Sequence, residues 1–386
     1  RQERIRVEHD KITAANLPHS YHMKKPPTVS VFVPYYNDRN FLPQCIESIL
    51  AQTFKDFELV LLNHATTDDC RSIAHSFADP RIIHIDMPSN LGAGSGKFAK
   101  LFCADDLMRP DCLEKLVGYM QKHPETDVAF GDMEYVDAHG DSLGTRWSLR
   151  RPHFEFGKPP EDSLHLLFES ISFLPYPCSI AKTDVLRKAE IDKSMIMLLD
   201  VSLWANLIID GAKLDLIPEL VVNYRIHGKQ TSAVKNESLS ARRYYFEALK
   251  YYDIFYRIRS VKLIKAICPE SPFAKKINSE EKRPEIFEFI IAYHCLKSLN
   301  KACVANGYAH MHDLMQDDNS RKSISDAFNF GIREFREIYS NSELFPKSPK
   351  QVGFWELLYL LLRRLWIIVT FKEVKRKWRR RKMLSL

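Results

Sequence analysis

The residues with the most chemical promise are two adjacent acids, Asp105 and Asp106. They follow directly on Lys100-Leu101-Phe102-Cys103-Ala104, a strand-like run. In an open α/β sheet, ligands gather beyond the carboxyl ends of the strands. Two carboxylates placed there can hold a hard divalent cation, which in turn grips a diphosphate. An isolated pair of this kind more often caps a following helix, so the surrounding sequence has to decide. Other chemically suggestive groups say less. The eight cysteines form no CxxC pair and none stands at zinc-ligand spacing with a histidine. Several lie in apolar runs and read as buried free thiols, which fits a reducing cytoplasm. Gly92-Ala93-Gly94-Ser95-Gly96-Lys97 has the look of a phosphate loop but not its spacing. It reads as a flexible link, with Lys97 a candidate phosphate contact.

The elements that must position the acids alternate between strand and helix. Val29 to Pro34 is β-rich and stopped by proline, a buried strand. Phe41, Leu42, Cys45, Ile46, Ile49 and Leu50 recur at helical spacing. Phe57–Leu62, Ile82–Ile85 and Ala99–Cys103 read as further strands, and Asp68–Ala78 as a helix that Asp68 can cap. Pro110 stands where a helix can open and Pro124 just past its end. Such alternation implies a mainly parallel sheet with covered faces. Val128–Gly131 and Glu134–Val136 are strands leading into a turn at His139-Gly140-Asp141. Residues 145–165 read as an irregular, mobile loop, and α/β patterning resumes from Leu164 to about Tyr224. Beyond Glu237 the pattern turns helical, clearest at Ala241–Tyr256 and Glu285–Ala305. No internal repeat is present.

With 386 residues, 45% of them hydrophobic and 27% charged, the chain is long enough for two folded parts. Its formal net charge of +7 is unevenly placed. Eight Lys/Arg and one Glu fall between Lys372 and Lys382, so that segment alone carries +7. A nucleic-acid reader spreads basic residues over a folded face, so nucleic acid is not an expected partner. Here the basic run follows the apolar stretch Leu357–Phe371, which Arg363 and Arg364 interrupt. That stretch is too short and too charged for a membrane span. It reads instead as an amphipathic tail for an anionic membrane surface. The charged start, Arg1 to Asp10, does not read as a signal peptide. The expected location is therefore cytoplasmic, peripheral on the inner face of the cytoplasmic membrane. Four parts are expected: a lead-in over 1–27, a catalytic domain over 28–235, a helical region over 236–350 and the tail over 351–386.

The context of the acidic pair resembles a known family. Val29-Ser30-Val31-Phe32-Val33-Pro34-Tyr35-Tyr36-Asn37, Cys45-Ile46-Glu47-Ser48-Ile49-Leu50-Ala51-Gln52-Thr53 and Phe57-Glu58-Leu59-Val60 resemble the opening of a family 2 glycosyltransferase. Thr66-Thr67-Asp68, Asp79-Pro80-Arg81-Ile82 and Asn90-Leu91-Gly92 follow. Ala104-Asp105-Asp106-Leu107-Met108-Arg109-Pro110-Asp111 is similar to the family's variant of its DxD metal motif. Leu199-Asp200-Val201-Ser202-Leu203-Trp204 resembles its acidic motif before a helix. Ile217-Pro218-Glu219-Leu220 and Tyr224-Arg225-Ile226-His227 resemble the close of its catalytic domain. These pieces occur in the family's order over residues 28–233.

The resemblance implies a GT-A fold, an α/β architecture with a mainly parallel twisted sheet flanked by helices, followed by a mostly helical C-terminal region. It implies transfer of a sugar from a nucleotide-diphosphate donor, with a UDP-sugar the leading choice, to a hydroxyl acceptor by metal-assisted inverting displacement. The acceptor it implies is a glycan or lipid-linked glycan of bacterial surface polysaccharide synthesis. Pro34, Tyr36 and Asn37 match the loop along the nucleotide. Asp106 matches the acid that binds Mn2+ or Mg2+, Asp105 its neighbour near the ribose, and Asp200 the general base. His227 matches a late histidine of the metal or diphosphate site. Three departures stand out. The family's acidic pair that reads the base is here Asn63-His64, although an Asn63 carbonyl can still accept from a base N–H. The first acid of a full DxD falls at Cys103. The Gly92–Ala104 stretch is short, so the helix before the metal strand is reduced. The first and third departures favour a rival reading, a noncatalytic GT-A-like scaffold in a membrane glycan-assembly complex. Asp105, Asp106, Asp200 and His227 speak against it.

Overall fold

The structure, a computed structural model, describes residues 26–86, 95–150, 156, 160–171, 174–228 and 239–340. They fall into two compact units, Arg1–Ile324 and Ser325–Leu386. The expected boundary between residues 235 and 236, most of the lead-in and the whole basic tail lie outside the described residues.

The first unit opens as the apolar runs dictate. Strand β1 (Val29–Tyr35) is buried along almost its whole length, as a central parallel strand must be. Helix α1 (Leu42–Leu50) buries Leu42, Cys45, Ile46 and Ile49, the face that the helical spacing marks. Strand β2 (Phe57–Asn63), helix α2 (Cys70–Ser76) and strand β3 (Ile82–Asp86) complete two crossovers. Asp68 accepts the N–H of Cys70 at 3.0 Å and so satisfies the first turn of α2. Strand β4 (Phe98–Leu101) then returns beside β1, giving the parallel order β3-β2-β1-β4.

The second half of the sheet differs in sense. After the two-residue strand β5 (Leu107–Met108) come α3 (Cys112–Lys122), β6 (Val128–Val136) and β7 (Ser142–Arg146). The two expected strands on either side of Asp132 are therefore one. The β6–β7 turn is tied by Asp137, whose Oδ1 accepts the N–H groups of His139 and Asp141. Helix α4 (Pro160–Ser170), strand β8 (Ser179–Lys182), helices α5 (Thr183–Lys188) and α6 (Leu199–Ile209) and strand β9 (Leu214–Arg225) follow. β8 inserts antiparallel between β4 and β6, β9 runs parallel to β6, and β5 caps the edge antiparallel to β9. The expected α/β sheet with helical flanks is thus present as a mixed, nine-stranded sheet whose N-terminal half is parallel throughout.

Two expectations need correction. The loop expected over 145–165 is shorter: Trp147 is buried, a 3-10 turn spans Ser148–Arg150, and α4 already opens at Pro160. Pro160 with Glu161 and Asp162 in the first turn is a strong helix start. The single helix expected over Glu285–Ala305 is two, α9 (Pro284–Cys295) and α10 (Lys301–Gln316). The break comes at Asn300, whose Oδ1 accepts the N–H groups of Ala302 and Cys303 and starts a new helix.

The helical region α7 (Leu239–Asp253), α8 (Val261–Ile267), α9, α10 and α11 (Asp318–Phe328) is docked on the sheet's helices as far as Ile324. Tyr251 and Tyr252 of α7 donate their hydroxyls to the carbonyls of Leu167 and Phe168 in α4, at 2.9 and 3.4 Å. The second unit contributes the end of α11 and α12 (Ile332–Ser340), whose Glu334 accepts the N–H of Gly331 at 2.9 Å. Among the described residues no helix is long and apolar enough to cross a membrane.

At the α9–α10 crossing the helices approach so closely that a Cβ on Gly307 would stand 2.6 Å from Cys295 Cβ and 2.8 Å from the Ala292 carbonyl oxygen. In an exposed helix Gly→Ala stabilises by about 1 kcal/mol. Here the sign reverses: Gly307→Ala is expected to cost about 1–3 kcal/mol, the range for overpacking a core. Urea denaturation checks this, and a variant as stable as the parent would refute the close crossing.

Candidate active site

The parallel strands end in register. Tyr35, Asn63 and Asp86 are cross-strand partners at the carboxyl ends of β1, β2 and β3, and Asp105-Asp106 lie just beyond β4. Most residues singled out in the sequence therefore gather on one edge. Pro34 lies in β1 and Tyr36 just past its end, its side chain 55% exposed. Asn37 has a positive φ of 57°. It holds this conformation because its Oδ1 accepts from Thr66 Oγ1 at 2.9 Å and from the Thr67 N–H at 2.9 Å. Its own N–H donates to Thr66 Oγ1 at 3.0 Å, so the loops after β1 and β2 are stapled together.

Asn63 is committed on both sides. Its amide donates to Asp86 Oδ1 at 2.8 Å and its carbonyl accepts the Thr66 N–H at 3.0 Å. An acid, Asp86, thus stands beside Asn63 one strand away, and Arg71 also meets it at 2.8 Å. Lys97 does not reach this edge. It precedes β4 at the opposite end of the sheet, and its ammonium lies over the Phe98 ring at 5.2 Å.

Asp106 is fully buried. One oxygen accepts the Arg225 N–H at 2.9 Å, and the other, Oδ2, has no hydrogen-bond partner. Burial, and then the charge of Asp105, push its carboxyl well above the ordinary range. Cys103, Asp105 and Asp106 offer donor atoms within 4.8 Å of one another, a group able to hold a metal ion. An orphaned buried carboxylate oxygen is rare in folded proteins, and a hard cation is one partner that would satisfy it. Asp105 Oδ2 meets His227 Nε2 at 3.0 Å. His227 thus bears on Asp105 and lies outside the three-donor group. Its ring packs on Phe41 at 4.5 Å.

Arg225, 1% exposed, ties these parts together. Its guanidinium donates to the carbonyls of Asp105 and Ala138 and to Gln44 Oε1, each at 2.8 Å, and lies over the Phe41 ring. The sequence marks Arg225 only as part of a matching string. Asp38 was likewise missed: burial raises its pKa, and the charge of Asp105 adds to the rise. Gln52 has a structural role. It donates to the Arg109 carbonyl at 2.7 Å and accepts the Leu113 N–H at 3.1 Å, fixing the chain that follows the acids.

Asp200 stands in the first turn of α6, partly buried, with Oδ1 accepting the Val201 N–H at 2.8 Å. Burial pushes its carboxyl up to about 6. Its charge reaches the Cys103 thiol and the Tyr176 hydroxyl, so it lies in the neighbourhood of the three-donor group. All eight cysteines are free thiols, and all except Cys103 are buried, as the apolar runs around them imply.

A doubly wound parallel half joined to a mixed half, with acids at the strand ends, is the architecture of GT-A nucleotide-sugar transferases. Residues 30–189 match the family model described as "Glycosyl transferase family 2". An uncharacterized glycosyltransferase of Methanocaldococcus jannaschii is 26% identical over 286 residues, covering 67% of this chain and 96% of that protein. A PGL/p-HBAD biosynthesis glycosyltransferase of Mycobacterium bovis is 32% identical over 120 residues, 28% of this chain and 47% of its own. The fold is similar to that of S. aureus TarS, solved in complex with UDP-GlcNAc, with a TM-score of 0.51 and 14% identity over 80% of this chain and 92% of that one. Residues 30–189 thus form a domain similar to the family 2 glycosyltransferases, and the chain is a glycosyltransferase.

Removing a buried donor leaves the acceptors it satisfied without partners, at a cost of about 1–3 kcal/mol. Arg225→Met is expected to destabilise the chain by that order. Arg225→Lys should recover only part, because an ammonium cannot span three acceptors in one plane. Chemical denaturation of both variants tests this; parent-like stability in Arg225→Met would remove Arg225 from its central place.

Proposed function

We propose that this protein transfers a sugar from a nucleotide-diphosphate donor, a UDP-sugar first among the choices, to a hydroxyl acceptor with inversion. The observation that carries the reading is the unpartnered Oδ2 of buried Asp106 beside Asp105 and Cys103, at the strand ends where a donor binds. Asp106 and Asp105 hold a divalent cation, Mn2+ or Mg2+. Bound there, the cation supplies positive charge against the leaving diphosphate. His227 orients Asp105 through its hydrogen bond. Pro34, Tyr36 and Asn37 line the nucleotide, with Asn63 and Asp86 at its base end. Asp200 takes the proton of the acceptor hydroxyl, and a carboxyl near 6 is ionised at neutral pH, as a base must be. The acceptor is a glycan or lipid-linked glycan of surface polysaccharide synthesis. The PGL/p-HBAD biosynthesis role printed for the M. bovis relative is in keeping with it. The tail over 351–386 holds the enzyme on an anionic membrane surface, a reading supported by its amphipathic, basic sequence. The scaffold alternative is not favoured, because the acids of the site are intact.

Calorimetry with UDP and GDP, with Mn2+ and then with EDTA, tests the donor site. Binding is expected to depend on the metal, and Asp106→Ala should abolish the dependent part. Equal affinity in both conditions would sink the metal role.

A screen of nucleotide-sugar turnover then addresses the base. Asp200→Asn should lower turnover by roughly 10²–10⁴-fold while leaving donor affinity unchanged. Since Asp200 must be deprotonated, parent turnover should rise with pH through about 6. A parent profile flat between pH 5 and 7, or a fully active Asp200→Asn, places the base elsewhere.

A further inference from the structure

We infer that Glu247, on α7 of the helical region, is a positioning residue that aims Asp200 at the acceptor. The inference rests on the reading of Asp200 as the base.

Helix α6 has no cap of its own. Leu198 occupies its N-cap position and carries no side chain able to accept a hydrogen bond. The donors ahead of the helix are satisfied from elsewhere. The backbone N–H groups of Ile196, Met197 and Leu198 all donate to one oxygen, Oε2 of Glu247, at 3.0, 2.8 and 3.0 Å. Three successive amides converging on one anion form a backbone nest. Glu247 is itself buried, so these charge-assisted bonds are shielded from water. Asp200 stands two residues beyond the last of them.

The far end of α6 is gripped by the same region. Arg257, in the 3-10 turn that follows α7, donates to Asn206 Oδ1 and to Asp210 Oδ1, the latter at 2.8 Å. An anion at the start of α6 and a cation at its end both complement the helix dipole. Between these two grips α6 is buried nearly all round, with Trp204 fully enclosed. The helix therefore has little freedom to rotate or slide while Glu247 holds. The preceding loop also bonds α6 further along, Asn206 donating to the Glu190 carbonyl at 3.3 Å and Ser202 to Met195 Sδ at 2.9 Å, but the donors beside the start of the helix are held by Glu247.

A base must lie within hydrogen-bond reach of its proton, and a misplacement of about 1 Å can cost about 100-fold in rate. The helical region is thus part of the catalytic apparatus, acting through α6.

The test uses the full chain and three variants. Glu247→Ala removes the anion. Glu247→Asp withdraws the carboxylate by one methylene. Glu247→Gln keeps a carbonyl oxygen at the same reach. Exchange of the amides of residues 196–198 is read by mass spectrometry, and turnover by nucleotide release from the nucleotide sugar used fastest in the screen above, per folded molecule. Glu247→Ala and Glu247→Asp should exchange faster at 196–198 and lose about 10- to 100-fold in kcat, with donor KM unchanged. Glu247→Gln should restore most of both. In an Asp200→Asn background, Glu247→Ala should cost nothing further. Parent-like kcat in Glu247→Ala, or a rise in donor KM equal to the loss in kcat, overturns the positioning role. If Asp200→Asn itself remains active, the base assignment fails, a result separate from the exchange measurement.

Discussion

A carboxyl group taken fully out of water is costly unless its oxygens find partners, and one oxygen of Asp106 finds its partner in Arg225. The backbone of Arg225 reaches one oxygen of Asp106 and its guanidinium the carbonyl of Asp105. The end of β9 is thereby fixed against the loop after β4, although 119 residues separate the two in sequence. Gln44 brings α1 into the same cluster, and the Ala138 carbonyl brings in the β6–β7 turn. Phe41 lies under both Arg225 and His227, so the ring that closes the cluster also seats the histidine beside Asp105. The two halves of the sheet are joined by backbone pairing, and this arginine ties them again at the site edge.

The N-terminal half of this design was legible in the sequence for a simple reason. Buried parallel strands are continuous apolar runs, and β1, β2 and β4 are such runs punctuated by turn residues. The pairing of β5 and β8 was not, because two- and four-residue strands carry no periodicity. Their partners are chosen by tertiary contact. The split between α9 and α10 was written in Asn300, a capping residue set within an otherwise continuous helical pattern. Of the site, the acids were marked by their place at a strand end and decided by the resemblance around them, and Asp200 was found only by resemblance. Asp38, Arg225 and Glu247 could not be found either way. Each acts through a partner distant in sequence, and no local pattern announces such a contact.

The C-terminal helices look accessory when read as sequence, since their composition is that of any helical bundle. Their packing says otherwise. Tyr251 and Tyr252 bind the backbone of α4, and Glu247 and Arg257 bind the ends of α6. A catalytic sheet truncated after β9 would leave the ends of α6 with unsatisfied donors and acceptors.

The staple between Asn37 and the Thr66-Thr67 pair has a consequence for molecular recognition. A left-handed residue held by several short hydrogen bonds has surrendered its conformational freedom during folding. A ligand lying along these two loops finds its surface already shaped and does not have to order it, so less of its contact energy is lost to entropy. Selectivity at that edge then rests on fit to a rigid contour. A ligand of the wrong shape cannot recover affinity by bending the loops, because bending one means breaking its bonds to the other.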